Sequence, residues 1–91
     1  MQSREIVVTN KLGVHARPAG MIVDLTGKSK SDITLEYEGN KVNAKSILNV
    51  MMLAITPGST VKFTANGEDE EQILDQLEKL FRDNFHEDQN G

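Results

Sequence analysis

The residues best suited to chemistry in this chain stand together in Gly13-Val14-His15-Ala16-Arg17-Pro18. Their order makes sense where a loop runs into a helix. The first backbone N–H groups of a helix have no intrahelical partners and carry the positive end of its dipole, so an anion held beside them is stabilised. A phosphoryl group fits such a place. The His15 ring offers a nitrogen that can act as a nucleophile there, while Arg17 can fork onto phosphoryl oxygens. Pro18 removes a donor that a helix start does not need. An isolated His-x-Arg-Pro is also what an ordinary helix cap beside a solvated cation looks like, so the motif alone leaves both readings open.

No other nucleophilic arrangement competes. The chain holds no Gly-x-Ser-x-Gly elbow, no Walker phosphate loop, no Gly-x-Gly-x-x-Gly and no histidine pair at metal spacing, so neither metal nor cofactor is expected. His86 lies in an acidic, polar stretch near the C-terminus and reads as tail. The second candidate is Lys45-Ser46-Ile47-Leu48, a Ser at a helix start with a Lys just outside it. A Ser cap is worth about 1 kcal/mol and explains Ser46 without any function. Phosphorylation there is tolerated by the same dipole, and sets about two negative charges beside an apolar surface. Ile47, Leu48, Met51 and Met52 are more than one short helix can bury, and Met adapts to surfaces that meet several partners.

Positioning these residues requires a particular run of elements. Glu5-Ile6-Val7-Val8-Thr9 is β-branched and closed by Asn10-Lys11-Leu12-Gly13, which predicts a strand over 5–9 and then a loop. Ala19, Ile22, Val23 and Thr26 recur at helical spacing, with Pro18 in the first turn, so a helix is expected over 16–27. Gly20 inside it costs up to about 1 kcal/mol against Ala and asks for a packing reason. Ile33, Leu35 and Tyr37 alternate with Thr34, Glu36 and Glu38. A two-residue Gly39-Asn40 loop then predicts a hairpin onto Lys41-Val42-Asn43-Ala44. A short helix follows Ser46, Val61-Lys62-Phe63-Thr64-Ala65 alternates as a strand, and Ile73, Leu74, Leu77, Leu80 and Phe81 form a helical stripe. Asp69 with Gln72 resembles a capping box at that helix. The order is β-α-β-β-α-β-α, an α/β sandwich with helices stacked on one side of a sheet that includes an antiparallel hairpin.

The chain's 91 residues suffice for one domain, spanning 1–91 with a flexible tail over about 86–91. Ten basic against 14 acidic residues leave a net charge of −4, and with three Phe, one Tyr and no Trp this excludes nucleic acid as a partner. There is no cysteine, which fits a reducing compartment, and the N-terminal apolar run is too short for a signal sequence or membrane insertion. A cytoplasmic protein is expected.

Gly13-Val14-His15-Ala16-Arg17-Pro18-Ala19, Leu35-Glu36-Tyr37, Lys45-Ser46-Ile47-Leu48 with Val50-Met51, and the order of elements together resemble the HPr family. These are the histidine-containing phosphocarriers of the bacterial phosphoenolpyruvate-dependent sugar phosphotransferase system. The resemblance covers nearly the whole chain. It implies an α+β open-faced β-sandwich, with a four-stranded antiparallel sheet and three helices on one face. It implies that His15 takes a phosphoryl group on Nδ1 from phospho-enzyme I and hands it to IIA domains of sugar permeases, with Arg17 and the backbone of Ala16 and Arg17 around the phosphate. Such a protein is a carrier, not an enzyme, and is expected to be a monomer. Ser46 matches the position modified by an ATP-dependent HPr kinase/phosphorylase, and Gly20, Ile47, Leu48 and Met51 match surfaces that the partners touch. Leu12 stands where many members have a small polar residue. Gly20 and Asp24 also differ from members devoted to sugar transport, which keeps open a nitrogen-type regulatory relay. From other classes, a ferredoxin-like ligand-binding module remains, and more remotely an autonomous enzyme.

Overall fold

The structure, a computed structural model, describes residues 1–86. Four strands form one antiparallel sheet in the order β1-β4-β2-β3, where β1 is Gln2–Val7, β2 Asp32–Tyr37, β3 Asn40–Asn43 and β4 Thr60–Asn66. Helices α1 (Ala16–Gly27), α2 (Ile47–Met52) and α3 (Glu70–Arg82) lie on one face. The expected one-sided sandwich is what the chain adopts.

Period-two alternation decides which face is covered. Ile33, Leu35 and Tyr37 of β2 and Val61, Phe63 and Ala65 of β4 are buried beneath Ile22, Leu77 and Phe81, while Val23 packs at the margin. On the open face, register puts Glu5, Lys62, Glu36 and Lys41 in a row across the four strands, with Ser3, Thr64, Thr34 and Asn43 in the next row. Alternating charges and short polar side chains suit a solvated surface. Arg4 ties β1 to α3 by ion pairs with Asp75 at 2.9 Å and Glu78 at 2.7 Å.

Helix α1 has the predicted bounds. Gly20 faces α2, yet a methyl group there would meet only Ile47 Cδ1 at an ordinary 3.8 Å, so close packing does not demand glycine. Strand β1 begins three residues earlier than expected. Its pairing with β4 runs from Gln2↔Ala65 to Val7↔Thr60, and Val8 leaves the ladder to exchange backbone hydrogen bonds with Gly58 and Ser59. The hairpin turn is Glu38-Gly39 rather than Gly39-Asn40. Both residues have positive φ, +51° and +82°, the twist that a two-residue hairpin favours, and Asn40 already pairs with Tyr37.

The expected capping box at α3 does not form. Asp69 makes no side-chain cap bond. Its carboxylate instead accepts hydrogen bonds from Ser29 Oγ (2.9 Å), Ser31 Oγ (2.5 Å) and the Lys30 N–H (3.1 Å), which fastens the chain after α1 to the start of α3. The Ser31 hydroxyl, followed by the Lys30 N–H and Ser29, holds this carboxyl below its ordinary range. A depressed carboxyl stabilises the fold fully above its unfolded value, near pH 4, and loses that contribution as pH falls through the folded value. Asp69→Asn is therefore expected to melt below wild type at neutral pH, with the gap closing as the solution is acidified below about pH 4. Melting temperature against pH checks this, and a gap constant across the acid range would contradict it.

After α3, Asn84–His86 form a turn with positive φ at each residue, which folds Phe85 onto Phe81 with ring centroids 4.7 Å apart. Phe85 is thereby a core residue that the helical stripe did not include. His86 closes this turn, and the rest of the expected tail lies outside the described residues.

Candidate functional site

The loop before α1 is built from the backbone outward. The Asn10 side chain is buried and donates from Nδ2 to the Gly13 carbonyl at 2.7 Å. Gly13 has φ +72°, and its Cα lies against the turn after α2. A Cβ there would run into the Ile55 carbonyl oxygen and approach Thr56 Cα to 3.2 Å. Val14 is buried and donates its N–H to that same Ile55 carbonyl at 3.0 Å. The residue immediately before His15 is thus pinned to the core.

His15 is the N-cap of α1, with an extended backbone (φ −105°, ψ −160°) and a carbonyl that accepts the first intrahelical bond, from the Ala19 N–H at 2.9 Å. Its side chain makes no cap hydrogen bond and is exposed. Pro18 has no N–H and Ala19 is already bonded, so the amides of Ala16 and Arg17 are the helix-start donors left without an intrahelical partner. No acidic residue occupies the first turn of α1. Arg17 is exposed and, among the described residues, pairs with no carboxylate. An imidazole, two amides and a guanidinium at one solvated helix end can receive a compact anion bonded to the ring.

Ser46 caps α2, its Oγ accepting from the Asn49 N–H at 3.3 Å. Lys45 reaches Ser29 O with its Nζ at 3.0 Å, so it fastens α2 to the end of α1. Only Val50 of α2 is buried. Ile47, Leu48 (64% exposed), Met51 and Met52 (73% exposed) face outward, and Leu12 in the His15 loop is 69% exposed. The two candidate groups meet through the fold. Ile47 lies against Gly20, on the helix that His15 begins, and the turn following α2 carries the His15 loop.

Asn10 and the 55–57 backbone escaped the sequence reading, because a loop asparagine and a Pro-Gly turn signal only irregular chain. Among the described residues, no group of histidine and carboxylate side chains is placed to hold a metal. A groove of about 730 Å³ lined by Lys28, Lys30, Glu68, Asp69, Gln72 and Gln76, among others, includes none of the candidate residues.

Four known proteins or families are similar to this chain. The family model described as the PTS HPr component phosphorylation site matches residues 2–83. The phosphocarrier protein HPr of Xylella fastidiosa strain 9a5c is 43% identical over 88 residues, which are 97% of this chain and 99% of that protein. Among solved structures, HPr from Thermoanaerobacter tengcongensis matches at a TM-score of 0.92 with 41% identity, over 97% of this chain and 99% of that one. Crh, the Bacillus subtilis catabolite repression protein solved as a domain-swapped dimer, matches at 0.72 with 40% identity, over 91% and 95% of the two chains.

Proposed function

This chain belongs to the HPr family of phosphocarrier proteins of the phosphotransferase system, which are carriers rather than enzymes, and from that premise we propose that His15 is its phosphoryl acceptor. Phospho-enzyme I supplies the group. The bond from phosphorus to the donor histidine breaks as a bond to His15 Nδ1 forms, and the reverse exchange delivers the phosphoryl to a IIA domain. Such transfers depend almost wholly on positioning and on stabilising charge spread over the phosphoryl oxygens. The Ala16 and Arg17 amides and the Arg17 guanidinium supply that stabilisation. The observation that carries this reading is the exposed His15 ring at the start of α1, beside the Ala16 and Arg17 amides, on a backbone pinned by the Val14 to Ile55 hydrogen bond.

Gly20, Ile47, Leu48 and Met51 form the docking surface for both partners, since the donor's histidine must approach His15 with the surrounding surface desolvated. The carrier works as a cytoplasmic monomer and a single domain. Among the described residues, no helix is long and apolar enough to cross a membrane. A relay ending on a regulatory, nitrogen-type IIA protein is the second reading, favoured by Leu12, Gly20 and Asp24. Transfer assays against permease-type and regulatory IIA proteins decide between the two, and light scattering checks the monomer.

Ser46 is the regulatory position, modified by an HPr kinase/phosphorylase where the host has one. Its Oγ already serves as an N-cap, and a carboxylate or phosphate at a helix N-terminus keeps that role, so the domain stays folded. Beside Ile47 and Leu48 the added charge must be desolvated on docking and repels acidic partner groups. Ser46→Asp is expected to lower kcat/KM for phosphorylation by enzyme I about threefold to tenfold, with the loss shrinking at saturating enzyme I. Equal rates at subsaturating enzyme I would reduce Ser46 to a cap.

A further inference from the structure

The side chain of Tyr37, the chain's one tyrosine, is inward-facing at the end of β2, where alternation alone would ask for a plain apolar residue. Its ring is buried, and its hydroxyl lies 3.3 Å from both Thr56 Oγ1 and Ser59 Oγ, which are themselves 2.9 Å apart. These three hydroxyls close a small polar cluster under the turn that links α2 to β4. That turn is also the floor of the His15 loop. Ile55 O receives the Val14 N–H, and Thr56 Cα lies against Gly13. The turn is held at its far end by Gly58 and Ser59, whose backbones bond to Val8. It enters through Ala54, a non-glycine residue at φ +53°, a conformation that persists only where its surroundings enforce it.

We propose that Tyr37 is a positioning residue for His15: its hydroxyl, through Thr56 and Ser59, fixes the 55–57 backbone on which the His15 loop rests. The chain of contact runs from Tyr37 OH to Thr56 and Ser59, from that turn to Gly13 and Val14, and from Val14 to the next residue, His15. The Ser59 and Thr56 hydroxyls also draw the Tyr37 phenol below its ordinary range, as hydrogen bonds donated to its oxygen do. A small displacement at the floor would be felt at His15 because nucleophile and phosphorus must meet in line. This inference rests on His15 being the phosphoryl acceptor, and its test separates the two.

In the full chain, Tyr37→Phe keeps the ring and removes the oxygen. Hydrogen exchange at the Val14 amide is expected to quicken about fivefold, on the scale of one neutral hydrogen bond, while amides of the β1-β4 pairing keep wild-type rates. With phospho-enzyme I as donor, transfer to His15 should slow about fivefold at saturating donor with KM little changed. Ser59→Ala should reproduce both changes, and the double variant should be no worse than either single one, because the hydroxyls act as a unit. Should Tyr37→Phe fail to fold, Ser59→Ala carries the same test. Unchanged exchange at Val14 overturns the proposal, and so does quickened exchange with unaltered transfer, since the floor would then move without moving His15. If wild type takes no phosphoryl group, the functional reading fails instead, and Val14 exchange together with the His15 ring shifts in NMR spectra decides the positioning on its own.

Discussion

Gly13→Ala is expected to lower the melting temperature by roughly 10–25 °C and to slow phosphoryl transfer in whatever fraction remains folded. Two costs add. An L-residue at φ +72° costs about 1–2 kcal/mol, and the new methyl collides with the Ile55 carbonyl, an overpacking that typically costs about 1–3 kcal/mol. Relief requires the loop to lift from the 55–57 turn, which breaks the Val14 to Ile55 hydrogen bond and strains the Asn10 to Gly13 one. A loss of about 2–5 kcal/mol is a large part of the roughly 5–15 kcal/mol that holds a domain of this size together. Calorimetry or thermal circular dichroism measures the first effect, and donor-saturated transfer at a temperature well below the new midpoint measures the second. A melting temperature within two or three degrees of wild type would show that the turn yields easily.

His15→Ala should behave in the opposite way. It is expected to abolish phosphoryl uptake while changing stability by no more than about 0.5 kcal/mol. The ring is exposed, makes no cap hydrogen bond and contributes nothing to the buried cluster, whereas the backbone that caps α1 is unaffected by the substitution. Arg17→Ala should keep the site but lose a charge-assisted contact, worth about 1.5–3 kcal/mol at the transition state. A His15→Ala protein that still takes up phosphate would move the acceptor elsewhere.

How much of this was readable from the residues follows their physics. Helix α1 was legible to the residue, because Pro18, the apolar spacing and the polar chain after Gly27 all act within it. Strand β1 was displaced in the reading because Gln2, Ser3 and Arg4 carry no hydrophobic alternation, and only pairing with β4 makes them a strand. The hairpin slipped by one residue because Glu38 adopts a left-handed conformation that its type does not advertise. Asp69 looked like a cap by spacing, but three donors from the 29–31 segment, brought near only by folding, claim its carboxylate. The same limit applies at the site. His15, Arg17, Ser46 and the apolar face of α2 announce themselves by type and position, whereas Asn10 matters through a side-chain bond to the Gly13 carbonyl, and Ile55 and Thr56 through their backbones, all brought together only by folding.

The most direct test of the central claim is to incubate the wild-type chain with phosphoenolpyruvate and enzyme I and to locate the product by NMR of the histidine rings. One phosphoryl group on Nδ1 of His15, labile in acid and stable in alkali, is the expected result. Phosphate on His86, or no uptake from an enzyme I that phosphorylates a relative such as the Xylella HPr in the same assay, would contradict it.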